Sequence, residues 1–421
     1  MGGDSSRGRD IVLLTIDCWR HDAPARMPRF RRLVSDFERG EAICQAAATN
    51  GVFPTVLASQ FFHNAYREPD FDAVADGVTT LPALLSESGY ETGAFIASNP
   101  FLGKWAGSFD TFWNDGMSSQ TEEQNRSEYT QFDRLWNLLR LQSRVRAEEI
   151  GRRARKWFRD TDSPRFLWMH LMDVHGPYYP GLRRGLLSGL VNTYRSIVQF
   201  SRDGMDASES VLETIERLYW QCVRLLDEQM AAVLEFVPDD ATVIVMADHG
   251  EELYNGYIGH ARLYDECVRV PFYVRDPGIE LTEAPIRQMD LAPTIAERFD
   301  LERPADWRGE PYDGTARDSV QVNHSHLGDR EMVYLAHRTA DAKLIESYDA
   351  DGEKQRSEFY GLRTDPNETH SIDDPTDPRR QSASDRLSEF RDAEEVVERV
   401  LSSRRTASET VEKRLEELGY R

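Results

Sequence analysis

The chain has 421 residues and carries 73 acidic against 51 basic side chains, a formal net charge of −22. That length accommodates one large domain plus a smaller one, and the acid excess, of the kind seen in salt-adapted proteomes, excludes nucleic acid as a general partner. Four cysteines, Cys18, Cys44, Cys222 and Cys267, show no metal-type pairing and suggest buried thiols in a reducing, cytoplasmic setting. No run of eighteen apolar residues marks a membrane span. The first ten residues lack the apolar stretch of a signal peptide; Met1, Gly2 and Ser6 fit only the bare myristoylation pattern.

Residues 10–17, DIVLLTID, read as a buried strand that ends on Asp17. An Asp there is either a helix cap after the strand or a carboxylate metal ligand at the strand end. A helix is predicted from Pro28 to about Leu33. In residues 46–60, AAATNGVFPTVLASQ, Gly51 and Pro54 break regular structure, and a short helix is expected to start near Pro54. Thr49 falls in the polar turn before it. Nucleophilic hydroxyls are presented this way, although on local sequence alone a turn cap is the stronger reading. Residues 80–88 form a helix and 91–97 a strand. The arginines Arg140, Arg144, Arg146, Arg152, Arg153 and Arg155 make a basic patch in residues 115–160, read as a solvated helix face.

Residues 166–172, FLWMHLM, form another apolar strand, followed by Asp173 and His175 before the turn Gly176-Pro177. Residues 182–200 are amphipathic: a lid or a membrane-touching helix, with packing on the core preferred. Residues 210–236 are a long helix with apolar side chains three and four apart, and Ser210 with Glu213 fits a capping box. A third apolar run, 243–246, leads to Asp248, His249 and Gly250, with His260 downstream. In an open parallel sheet, ligands collect beyond such strand ends. Residues 268–274 are the next strand and 288–294 begin a helix. Short strands at 320–322 and 332–337 flank His324 and His326, which read as exposed strand residues rather than metal ligands. Residues 343–348 and 359–362, with the turn at Asp365-Pro366-Asn367, form a small antiparallel unit. The Glu- and Arg-rich stretch from 376 reads as a solvated helical tail. The implied division is a core over 1–318, a small subdomain over 319–375 and a tail over 376–421.

Three strands ending in Asp17, in Asp173 with His175, and in Asp248 with His249 are harder to dismiss than any one of them. With LLTIDCWRHD, MDVHGPYYP, ADHGEE, GHARLYDECVRVPFYV, QMDLAPTI and FYGLRTDPNETHSI in this order, the chain resembles the sulfatase-like branch of the alkaline phosphatase superfamily over roughly residues 10–372. The resemblance implies a doubly wound α/β/α sandwich with a small C-terminal antiparallel sheet. It also implies a hydrolase acting on an anionic sulfate or phosphate ester, and one divalent cation (Ca²⁺, Mg²⁺, Mn²⁺ or Zn²⁺). By position Asp17, Asp248 and His249 would hold that ion with Thr49, His175 would contact the substrate or protonate the leaving oxygen, and His260 would face the bound anion. A second metal would draw on Asp173, His324 or His326.

Two departures stand out. Cys18 occupies the place where the family often has a second Asp. Formylglycine sulfatases carry Cys or Ser, any residue, then Pro, with Ser and Arg following; Val52 and Val56 break that pattern here. Thr49 is the hydroxyl that fits best, with Thr55 as fallback, which favours phosphate or phosphonate esters over sulfates. The alternatives are a phosphotransferase acting on surface glycans or lipids, supported only by residues 182–200, and a catalytically silent scaffold. The sequence leaves the oligomeric state open.

Overall fold

The computed structural model describes residues 8–68, 71–114, 139, 145–162, 164–187, 189–254, 256–327 and 330–402, with the backbone alone at 185–187 and 326–327. Met1, Gly2, Ser6, Arg140, Arg144 and the tail beyond 402 lie outside the described residues, as does the side chain of His326.

Eight strands make the main sheet: β1 (Ile11–Ile16), β2 (Glu38–Ile43), β3 (Glu91–Ile96), β4 (Thr111–Asn114), β5 (Arg165–Leu171), β6 (Thr242–Ala247), β7 (Arg269–Arg275) and β8 (Ile286–Arg287). Their order is β4-β3-β5-β1-β6-β7-β2-β8. Only β7 runs against its neighbours. The central strands β1 and β6 are buried at every residue, as expected where helices cover both faces of a parallel sheet. Their apolar, β-branched runs are what made them legible.

Helices cover both faces. Ala147–Asp160 and Glu209–Leu234 pack together, as do Thr49–Ala58, Leu81–Glu87 and Leu291–Arg298. Gly151 permits the first pairing, because a Cβ there would lie 2.2 Å from the Ala232 carbonyl oxygen. Phe53 of the Thr49–Ala58 helix packs on Trp168 of β5, ring centroids 4.7 Å apart, which fixes that helix over the sheet.

A separate four-stranded antiparallel sheet comes next: β9 (Ser319–Leu327), β10 (Arg330–Arg338), β11 (Ala342–Tyr348) and β12 (Lys354–Gly361), in the order β12-β11-β10-β9. Buried Lys343 of β11 joins it to the core by an ion pair to Asp265 at 2.9 Å, and pairs also with Glu368 beyond β12 at 3.0 Å.

Four local expectations change. The helix expected near Pro54 starts at Thr49 and keeps Pro54 inside it as its sixth residue, where the ring leaves the Asn50 carbonyl without the amide donor of that position. The long helix starts at Glu209 after Ser208, with no side-chain cap. β9 extends through His324, whose Nε2 lies 2.7 Å from Glu331 Oε1. The tail is not wholly solvated: Pro378–Glu394 and Val396–Ser402 bury Leu387, Val396 and Val400. Strand β2, ERGEAI, escaped notice because only its last two residues are buried, so it has no apolar period.

Candidate active site at the ends of three parallel strands

Register builds the site. β1 pairs in parallel with β5 and β6, so that Ile16 stands level with Leu171 and Ala247. The next residue along β1 is Asp17, and the next along β6 is Asp248. Two carboxylates 231 positions apart in sequence thus become immediate neighbours. Side chains alternate across a strand, so Thr15 and His170, which share a row two residues back, point to the same face as Asp17. Thr15 Oγ1 lies 2.9 Å from His170 Nδ1, and His170 Nε2 lies 3.5 Å from Asp17 Oδ2.

Thr49, the first residue of its helix, enters this carboxylate cluster from above. Its Oγ1 lies 2.9 Å from Asp248 Oδ2, 3.3 Å from Asp17 Oδ2 and 3.4 Å from His249 Nε2. One hydroxyl proton serves one acceptor, and Asp248 is nearest. Thr55 turns away and donates to the Val52 carbonyl at 2.7 Å. His249 Nε2 stands 3.5 Å from Asp17 and 3.7 Å from Asp248, with Nδ1 2.9 Å from the Gly250 carbonyl oxygen. Gly250 is needed for space: a Cβ there would meet the Glu266 carbonyl oxygen at 2.1 Å.

The electrostatics arise from burial with too few fixed cations. Burial and the Asp17 charge push the Asp248 carboxyl up to about 8. Burial also works to raise Asp17, but the imidazoles of His175, His170 and His249 overcome it and hold Asp17 well below the ordinary carboxylate range. His249 is lowered to about 4 by burial and then by His260. Without a cation, therefore, the two carboxyls retain a proton between them. This donor set fits a divalent ion: one ligand atom each from Asp17, His170 and Asp248 lies within 4.8 Å of the others, and mixed oxygen and imidazole donors suit manganese or zinc.

A second row lies alongside. His260 Nδ1 is 3.2 Å from Glu251 Oε2, and the Tyr178 hydroxyl donates to Glu251 Oε1 at 2.7 Å. Burial would lower His260, but Glu251 outweighs it and pushes the imidazole up to about 9. The His175 ring lies 5.3 Å from that of His260, and burial holds His175 below the usual imidazole range against the pull of Asp17.

The structure thus gathers Asp17, Thr49, His175, Asp248, His249 and His260. Asp173 does not join them. Its Oδ2 accepts from the Ala147 amide at 3.0 Å, at the start of the Ala147–Asp160 helix, and Arg146 lies 3.5 Å from it. His324 sits in the small sheet on Glu331, so neither supplies a second-metal ligand here. Four residues went unnoticed in the sequence. Asn99 donates to Asp17 Oδ2 at 3.3 Å, Gln288 donates to the Asp248 carbonyl at 2.9 Å, and His170 and Glu251 act as above. His170 had a signal, a lone imidazole in an apolar strand; the others sit in turns whose polar residues are ordinary.

A family model described as Sulfatase matches residues 22–301. The uncharacterized sulfatase YidJ of Escherichia coli (strain K12) is 27% identical over 174 residues, 37% of this chain and 34% of that protein. A Delta 4,5-hexuronate-2-O-sulfatase of Bacteroides thetaiotaomicron is 25% identical over 143 residues, 31% of this chain and 30% of the relative. The match therefore spans about a third of the length of these curated relatives. The phosphonate monoester hydrolase of Agrobacterium radiobacter superposes with a TM-score of 0.65 at 15% identity, covering 92% of this chain and 96% of that one; at that identity the likeness is one of fold.

Proposed function

Because the chain belongs to the sulfatase family, we propose that it is a metal-dependent ester hydrolase with Thr49 as nucleophile, acting on phosphate or phosphonate esters in preference to sulfates. The observation that carries this reading is the Thr49 hydroxyl, 2.9 Å from Asp248 and within 3.4 Å of Asp17 and His249. The preference rests on an ordinary threonine standing where the sulfatase nucleophile would be a formylglycine. The relatives include both a sugar sulfatase and a phosphonate monoester hydrolase, so both ester classes lie within the family's range.

Asp17, Thr49, Asp248 and His249 would hold the cation, with His170 close by. When bound, the ion supplies positive charge against the ester oxygens and favours the ionised nucleophile. Asp248 accepts the Thr49 proton along an existing hydrogen bond. Thr49 Oγ1 then bonds to phosphorus as the bond to the leaving alcohol breaks. His260, held cationic by Glu251, faces the anionic oxygens. His175, one ring from cationic His260, contacts the departing oxygen and relays to it the proton that His260 carries. Water cleaves the Thr49 ester and regenerates the hydroxyl.

The four cysteines are all buried and unbridged, which supports a reducing compartment such as the cytoplasm. Among the described residues no helix is long and apolar enough to cross a membrane. A second reading, transfer to an acceptor on a glycan or lipid, draws on the helix Leu190–Asp203, where Val191 and Val198 are exposed two turns apart. Liposome flotation tests it, and a protein that stays with the soluble fraction removes its support.

The decisive assay pairs metal content by mass spectrometry with turnover of an aryl sulfate, an aryl phosphate, a phosphodiester and a phosphonate monoester, for wild type and Thr49→Ala. Bound divalent metal with phospho-ester turnover lost in Thr49→Ala is expected. Sulfate turnover that survives Thr49→Ala would overturn the assignment.

A further inference from the structure

Beside the carboxylate cluster lies a second set of donors with different chemistry. Cys18 comes directly after Asp17 at the end of β1 with φ +57°, a left-handed backbone that is unfavourable for a non-glycine residue. Two hydrogen bonds hold it there. The Tyr219 hydroxyl donates to the Cys18 carbonyl at 2.8 Å and accepts from the Arg20 amide at 3.2 Å. Strain kept in place by its surroundings points to a use for the side chain it aims. The Cys18 sulfur lies 3.5 Å from His260 Nδ1. One ligand atom each from Cys18, His175 and His260 lies within 4.8 Å of the other two. Cys18 and His175 are buried, and His260 is largely so.

A thiolate with two imidazoles selects a thiophilic ion and leaves a fourth position open. Two carboxylates, a hydroxyl and an imidazole accept a harder one. The two sets are adjacent, since the Cys18 thiol donates to Asp17 Oδ1 at 3.2 Å. We propose that Cys18, His175 and His260 form a second cation site for a thiophilic divalent ion such as Zn²⁺, and that its occupation competes with ester turnover. Binding forms the sulfur–metal and two nitrogen–metal bonds and releases to solvent both the Cys18 thiol proton and the proton that His260 carries. Competition arises because the same two imidazoles serve the ester; this half rests on the hydrolase reading, whereas the binding half does not.

Cobalt(II) is the spectroscopic probe for the thiolate. Added to the metal-free full-length protein, it is expected to give a sulfur-to-cobalt charge-transfer band in the near ultraviolet. In Cys18→Ser the band disappears, and bound metal falls from about two ions per chain to about one. Zinc added to the manganese-loaded protein is expected to lower phospho-ester turnover by roughly tenfold or more in wild type, and far less in Cys18→Ser, each measured against its own zinc-free rate. Absence of the cobalt band in wild type overturns the site without recourse to any variant, so misfolding of Cys18→Ser would not shield it. Zinc that raises turnover overturns the competition. A cobalt band in a protein that turns over no ester overturns the hydrolase reading and the competition together, and upholds the cation site.

Discussion

Two buried carboxyls in this molecule, Asp248 at the strand ends and Asp265 at the junction with the small sheet, are shifted in opposite directions. At the strand ends, Asp17 and Asp248 are fully buried among imidazoles and neutral donors (the Thr49 hydroxyl, the Asn99 amide and the Cys18 thiol), and Asp248 is pushed up to about 8. At the junction of the core and the small sheet, Asp265 is also buried, but Lys343 Nζ lies 2.9 Å and Arg338 Nη2 2.8 Å from it. There burial still works to raise the carboxyl, yet the two cations hold it far below the ordinary range. Burial sets the cost of a charge, and the partner decides whether that cost is offset. The junction carries its own cations; the strand-end cluster has none within it among the described residues, which is the arrangement the proposed metal site calls for.

The largest effect expected from this contrast is catalytic. Asp17→Asn should lower phospho-ester turnover by on the order of 10³-fold and weaken metal binding, whereas Lys343→Met should leave the metal content unchanged by mass spectrometry. Metal loss in Lys343→Met would break the distinction between the clusters.

Next comes stability. Asp265→Asn leaves two buried cations without their main counter-charge and should cost about 3–5 kcal/mol in denaturant unfolding. Asp248→Asn in the metal-free protein replaces a carboxyl that already holds its proton near neutral pH and should be nearly neutral. Equal losses in both would show that Asp248 holds a charge in the metal-free protein.

The two clusters should also give opposite pH dependences. In the metal-free protein Asp248 has its folded value raised from 3.8 to about 8. The folded state therefore binds more protons in that window, and its stability falls as pH rises through it. Asp265 is lowered from 3.8, so its contribution is present above that pH and is lost as pH falls below it. Thermal melts from about pH 2 to about pH 9, with and without the metal, should show stability lost at the acid end in both states and the upper slope flatten on loading. A slope unaffected by metal would place the titration elsewhere.

Smallest of all, Thr55→Val should change turnover by less than about threefold and stability by about 1 kcal/mol or less, since that hydroxyl is spent on Val52 within its own helix. A large catalytic loss there would return the nucleophile to Thr55.

What the sequence determined by itself is the set of local patterns. Apolar β-branched runs announced β1, β5 and β6, and the Asp at or just after each run marked the sheet's carboxyl edge, because strand period and turn chemistry are written in neighbouring residues. Tertiary structure decided which of those polar residues meet. Asp173 and Asp248 look alike in sequence, but Asp173 lies two residues beyond β5 and is taken by the Ala147 amide, whereas Asp248 stands level with Asp17. Thr49 and Thr55 are separated only by the helix that aims one at the carboxylates and the other at a carbonyl. His170, Asn99 and Glu251 became visible only once register and loop closure had brought them to the site. Parallel pairing joins residues more than a hundred positions apart, and no local pattern encodes that distance.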